Sequence, residues 1–332
     1  MKRNARILCL LLILLALCAL ASLCMGASGI SPAEMLSAVF RADSGSAAGR
    51  ILRYVRLPRT IAAMLSGAAL ACAGFLLQSV LRNPLAAPSV IGVNTGAGLC
   101  ALICTAFFPN MLLIAPIAAF FGACAAAFLV YSLARRTGAS RSTIVLAGVA
   151  VNAIFGAAMD AIVTLVPDAA LNRSAFAIGG FATVTLRQLA FAAPLCIAAF
   201  AAALAFRREL EILRLGDDVA ASLGLRVDFF RAVFIIAAAM LAGAAVSFSG
   251  LLGFVGLLGP HIARILMKND SRLQLCITAA FGSLLCLFCD IIARTAFAPY
   301  ELPVGIVLSF LGAPFFLYLL LNRKKRSRHG AE

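Results

Sequence analysis

From Thr60 to Ala134 the chain carries one ionisable side chain outside cysteine and tyrosine, Arg82. A water-facing surface cannot be built from such a stretch, whereas successive membrane spans of about 20 residues each can. The rest of the chain agrees. Of its 332 residues, 63% are hydrophobic and 12% are charged, against roughly 25% charged in soluble domains. The sequence therefore reads as an all-α polytopic membrane protein forming one domain over residues 1–332.

Apolar runs bounded by charge, proline or glycine lie near residues 7–27, 57–81, 89–108, 112–134, 143–166, 185–206, 230–249, 254–267, 274–297 and 303–321. The eighth is short and led by glycine. About ten transmembrane helices put both termini on one side, and the basic ends place that side in the cytoplasm. The basic connections 135–141, 207–214 and 267–272 then fall inside as well. The formal charge of +15 resides in such loops and in the tail 322–332, "NRKKRSRHGAE". This charge suits an anionic lipid face and calls for no nucleic acid. Residues 1–29 resemble a signal peptide, but the run Ile7–Met25 exceeds the usual apolar core of about 7–15 residues. It reads as an uncleaved first span, with a cleaved signal as the alternative.

One connection breaks the charge rule. Arg41, Arg50, Arg53, Arg56 and Arg59 fall in or beside the first outside loop. Two readings stand: a long loop translocated regardless of charge, with arginines snorkelling at the head of a span, or a docking surface for an acidic partner.

Catalytic chemistry finds few candidates. The chain has two histidines, His261 and His329, and no G-x-x-x-x-G-K-[ST] loop, so any ATP that drives it is hydrolysed by a partner. Eleven cysteines lie mostly inside apolar runs, where a thiol is a small hydrophobe; Cys286 and Cys289 form a C-x-x-C with no second pair, and no metal site is expected. Within the runs the carboxylates are Asp160 and Asp290. Asp290 stands four residues before Arg294, which reads as an ion pair on one helix face. Asp160, near the outer end of the fifth run, reads as an interfacial, hydrated acid or else a functional one.

Two stretches ask for a structural explanation. In "GLLGFVGLLGPHIAR" (250–264), Gly250, Gly253, Gly256 and Gly259 are spaced by three and followed by Pro260, His261 and Arg264. Glycines at this density point to a tight turn and a closely packed short helix, with His261 and Arg264 facing inward. In the loop 207–231, "LRLGDDVAASLGLRVDFFR" offers Asp217 or Asp218 as an N-cap and Gly224 as a stop. Val219, Ala220 and Leu223 form a small apolar face. A helix of one to two turns is marginal alone, so it rests on its own neighbours or in another protein's groove.

The stretch "RLPRTIAAMLSGAALACAGFLLQSVLRNPLAAPSVIGVNTGAGL" (56–99) resembles the signature of FecCD-type permeases, the membrane subunits of ABC importers for ferric siderophores, haem and cobalamin. "LGDDVAASLGL" is similar to that family's coupling segment, "GLLGFVGLLGPHIAR" to its next block, and "CDIIARTAFAPYELPVGIVLSFLGAPFFLYLL" (289–320) to its last two spans. The resemblance implies a vitamin-B12-permease-like fold and a homodimer, or a pair with a related permease. It also implies two cytoplasmic P-loop ATPase subunits that bind ATP and Mg, an external binding protein, and no cofactor in this chain. It places Gly216, Asp217, Ala220, Leu223 and Gly224 in the coupling helix, and Arg56, Arg59 and Arg294 toward the binding protein. Asn152, Asp160, Pro303 and Gly305 become candidates for the translocation path. Arg82, Asn83 and Pro84 join the glycine block as structural motif residues. The expected activity is import of an iron-siderophore-type chelate across a bacterial cytoplasmic membrane by alternating access. The rival is a stand-alone ten-span secondary transporter, which is built from repeated halves; none is visible between residues 1–166 and 167–332.

Overall fold

The computed structural model describes residues 2–26, 34, 46–108, 114–136, 141–267 and 271–328, and among these all regular structure is helical. In chain order the helices are α1 (Lys2–Cys24), α2 (Ala47–Ile51), α3 (Leu57–Val80), α4 (Val93–Phe107), α5 (Ala115–Arg136), α6 (Arg141–Leu165) and α7 (Ala169–Ile178). They continue as α8 (Leu186–Ala205), α9 (Arg207–Leu215), α10 (Asp217–Ser222), α11 (Val227–Ser249), α12 (Val255–Leu266), α13 (Ser271–Thr295) and α14 (Val304–Arg328). Each of the ten apolar runs carries one main helix. Among the described residues seven helices are long and apolar enough to cross a membrane, and three apolar helices, 93–107, 255–266 and 304–318, are shorter.

Helix α3 is the axis of the bundle. It packs against α8, α11, α12 and α13, while α4 lies on α5, and α1 covers α13. Small residues set the closest approaches. A Cβ on Gly67 would lie 2.2 Å from the Gly282 carbonyl oxygen, and one on Gly282 would lie 2.2 Å from that of Gly67. Gly96 and Gly122 join α4 to α5 in the same reciprocal way, and a Cβ on Gly74 would lie 1.9 Å from the Gly256 oxygen. In lipid, where apolar burial gives helices no reason to associate, such backbone contact supplies the dispersion energy that holds them.

Several local features differ from the sequence reading. The connection expected before residue 57 is partly helical: α2 passes through a π-helical turn, Leu52–Arg56, into α3. The third run begins with a 3-10 turn, Pro88–Ile91, and Gly92 at φ 80° starts α4 two residues later. Helix α7 was not foreseen, because its ten residues contain Asn172, Arg173 and Ser174 and show no long apolar run. Arg41, the tail residues 329–332 and part of the connections 135–141 and 267–272 lie outside the described residues.

Candidate functional site

The two ends of the bundle carry different chemistry. At one end, here the arginine end, three arginines sit below the surface. Arg59 donates from Nε to Asp290 Oδ1 at 2.9 Å and from Nη1 to Glu301 Oε2 at 2.6 Å. Arg294 reaches Asp290 Oδ2 at 3.2 Å and donates from Nη2 to the Ser22 hydroxyl at 2.8 Å. Arg56 donates to the Leu23 carbonyl at 2.8 Å. Asp290 is fully buried and is shared by two guanidiniums, the pairing an intramembrane carboxylate needs.

Beside this network lies a cavity of about 660 Å³, walled by Arg59, Glu301, Pro303, Phe176, Arg173 and Ser249, among others. Arg173 is ion-paired with Asp160 across α6 and α7.

The other end, the loop end, carries α9 and α10. Gly216 begins α10 at φ 126°, a conformation that L side chains rarely adopt. The helix stops as a paired cap: the Leu225 amide donates to the Ala220 carbonyl at 3.0 Å and the Gly224 amide to that of Ala221 at 2.9 Å, with Gly224 at φ 81°. Leu215, Val219 and Leu223, spaced by four, are exposed. Asp217 is paired with Arg231 at 2.9 Å, and Arg231 also meets Asp228 at 3.3 Å. The short helix is thereby bound to the first turn of α11, whose far end supplies Ser247, Phe248 and Ser249 to the cavity. Arg82, at φ 48°, extends its guanidinium to Gly216, while the Asn83 side chain accepts from the Leu85 amide at 2.9 Å and shapes the turn before Pro84.

Between the ends is a broken span. Residues 251–253 carry no regular secondary structure, Phe254 adopts φ 65°, and only then does α12 begin. Pro260 has no N–H for the carbonyl four residues earlier, that of Gly256. Gln78 of α3 supplies the missing donor: its Nε2 lies 3.0 Å from the Gly256 oxygen, and its Oε1 accepts from Arg264. Inside a membrane an open carbonyl has no water to turn to, so one glutamine repairs the proline break and seats an arginine. Replacing Gln78 with leucine should leave both groups without this partner. The expected cost is about 1–3 kcal/mol, read as a lower unfolding midpoint in lipid nanodiscs; an unchanged midpoint would show that another group satisfies Gly256.

The sequence-derived residues fare unevenly. Neither Asp217 nor Asp218 caps α10; Gly216 occupies that place, without a side-chain cap. The face drawn from Val219, Ala220 and Leu223 is split, because Ala220 is buried while the other two are exposed. The close packing expected of the glycines at 250–259 leaves no room for a side chain at two positions and little at a third. A Cβ would lie 2.7 Å from the Phe176 oxygen at Gly250, 3.0 Å from the Leu70 oxygen at Gly256 and 2.7 Å from the Ala71 Cβ at Gly259. Gly253 has room, its nearest neighbour being 4.0 Å away. His261 and Arg264 reach different helices rather than one inner face: the histidine ring meets Phe315, and the guanidinium meets Gln78.

Arg56, Arg59 and Arg294 are buried in this structure; among the described residues, exposed cations at that end include Arg50 and Arg53, near exposed Tyr54, and Arg187, beside the cavity-lining Gln188. Asn152 donates to the Ser89 carbonyl at 2.9 Å and accepts from Thr95 at 2.6 Å, which ties α6 to the head of α4. Pro303 lines the cavity, and Gly305 packs so tightly that a Cβ would lie 1.8 Å from the Ile178 oxygen. Cys286 and Cys289 are buried free thiols. The Asp290–Arg294 pair is present as read from its i,i+4 spacing. Sequence reading missed Arg59 and Glu301 as partners, since Arg59 and Asp290 stand 231 positions apart. It also missed Gln78, although this is the only amide side chain in the second run.

A bundle of ten apolar helices, with a capped amphipathic turn presented at one end and charges sequestered at the other, is the architecture of a membrane permease. Residues 13–322 match the FecCD transport family, and the chain belongs to it. It is 35% identical over 322 residues to the hemin transport system permease protein HmuU of Yersinia pestis, covering 95% of each chain. To the Fe(3+)-citrate import system permease protein YfmE of Bacillus subtilis (strain 168) it is 34% identical over 320 residues, covering 96% of each. A solved structure described as a metal-chelate-type ABC transporter in an inward-facing conformation superposes with a TM-score of 0.82 at 26% identity, over 96% of this chain and 99% of that one. The protein is therefore a multi-pass membrane permease subunit of an ABC importer.

Proposed function

We propose that this chain, paired with itself or with a related permease, passes an iron-siderophore-type chelate inward by alternating access, and that both its termini are cytoplasmic. Relatives named for hemin and for ferric citrate support a cargo in which iron is held by an organic ligand. The observation that carries the reading is α10, a short helix closed at both ends by glycine, with Val219 and Leu223 exposed and its base bound through Asp217 to Arg231. Exposed leucine and valine on a charged loop suit insertion into a groove of another protein, here two P-loop ATPases that bind ATP and Mg and do all the hydrolysis. Movement of α10 passes through Arg231 into α11 and from there to the cavity at the arginine end. An external binding protein docks at that end on the arginine-rich surface. The two halves of the dimer then rock about the path between them.

Purification of the tagged permease in mild detergent, with mass spectrometry of what co-elutes, tests this. A stoichiometric P-loop ATPase is expected. Leu223→Asp should abolish its recovery while leaving the permease folded, because Leu223 touches solvent rather than core. A solitary membrane protein across several detergents would return the chain to the secondary-transporter class.

A further inference from the structure

Arg59 holds two carboxylates of opposite character. The side chain of Asp290 is fully buried, whereas that of Glu301 is 37% exposed on an arginine that is itself 6% exposed. Glu301 is thus the one member of the Arg59–Asp290–Arg294–Glu301 network within reach of solvent. It also stands three residues before α14 begins at Val304. Besides that ion pair, the segment between is held by main-chain contacts: the Leu302 amide donates to the Ala293 carbonyl at 2.9 Å, and the Gly305 amide approaches the Gly179 carbonyl at 3.4 Å. Arg59, Glu301, Pro303, Val304 and Gly179 all line the same cavity.

We propose that Glu301 is a positioning residue, an internal stand-in for a carboxylate that arrives from outside the membrane. An external acid offers Arg59 the same charge-assisted hydrogen bond that Glu301 now makes. The exchange therefore replaces one ion pair with another and returns Glu301 to water. Asp290 keeps Arg59 in place throughout. Once Glu301 is released, residues 301–304 lose their side-chain anchor, and the head of α14 keeps its place against Ile178 and Gly179 at the end of α7 by close packing and two main-chain hydrogen bonds alone, a looser hold than before. Arrival of an acidic group is converted in this way into a looser cavity wall. The inference rests on the docking reading above for the source of that acid, a glutamate or aspartate on the binding protein.

The test uses the full-length permease assembled with its ATPase in lipid nanodiscs and follows amide hydrogen exchange of Leu302, Val304 and Gly305. The probe is glutarate, compared with chloride at matched ionic strength. In the wild type, glutarate should speed exchange in this segment by about three- to fivefold, what the loss of one partly exposed ion pair allows. Glu301→Gln should show the fast rate without glutarate and no further response to it. Glu301→Asp, which restores a carboxylate, should bring back both the slow rate and the response. A wild-type rate indifferent to glutarate would overturn the proposal, as would a Glu301→Gln rate equal to wild type. Should Glu301→Gln fail to fold, the wild-type comparison decides alone. Docking is read separately, by binding of the external protein to an Arg50→Glu, Arg53→Glu variant. Docking unaffected by that variant, with the glutarate response intact, removes the docking site and leaves the exchange at Arg59 standing.

Discussion

Asp290→Leu should abolish recovery of folded permease. The aspartate is fully buried between Arg59 and Arg294, and its removal leaves two guanidiniums in a medium that cannot solvate them. Breaking a buried ion pair from one side costs about 3–5 kcal/mol, a large share of the roughly 5–15 kcal/mol that holds an average domain. The sharper part of this expectation is the contrast with Glu301. Both carboxylates bind the same arginine, yet Glu301→Gln should change stability by less than about 1 kcal/mol, because its pair is open to solvent. Thermal unfolding in nanodiscs, monitored by size-exclusion fluorescence, measures the two side by side. Equal losses would show that burial does not rank the two carboxylates.

Gly74→Ala should be almost as damaging, although it adds a single methyl group. The new Cβ would lie 1.9 Å from the Gly256 oxygen, which is backbone and cannot rotate away. Helix α12 would have to move off α3, carrying with it the Gly256 carbonyl that Gln78 satisfies. Overpacking typically costs about 1–3 kcal/mol; the lost hydrogen bond puts this site at or beyond the upper figure. Gly253→Ala, from the same glycine series but with open space around it, is the matched control. It should fold like the wild type, and a loss there as large as at position 74 would contradict the contact argument.

The contrast within that series shows what sequence could and could not supply. Apolar runs are set by the solvent they face, so all ten were legible without any partner. The stop at Gly224 was legible for a similar reason, since a capped turn is decided by residues a few positions apart. Gly253 and Gly256 look alike in sequence, and only the approach of α3 separates them. The same holds for charge. The Asp290–Arg294 pair is four residues long and could be read directly, whereas Arg59 joins it only when α3 and α13 cross at Gly67 and Gly282. Ala220 and Leu223 also looked equivalent on a helical wheel, and it is the packing of α10 that buries one and exposes the other.

The proline break in α12 bears on how the chain is made. Twelve helical residues, Val255–Leu266, extend about 18 Å at 1.5 Å each, well short of a hydrocarbon layer near 30 Å. The segment that precedes them is non-helical, with peptide groups that bilayer lipid would not accept. This stretch is therefore unsuited to entering the bilayer as an independent helix. It becomes tolerable only against a surface that already presents an amide, and that amide, Gln78, is synthesised 178 residues before its acceptor Gly256. The order of the chain matches the order of need: the helix that repairs the break is in the membrane before the break emerges from the ribosome.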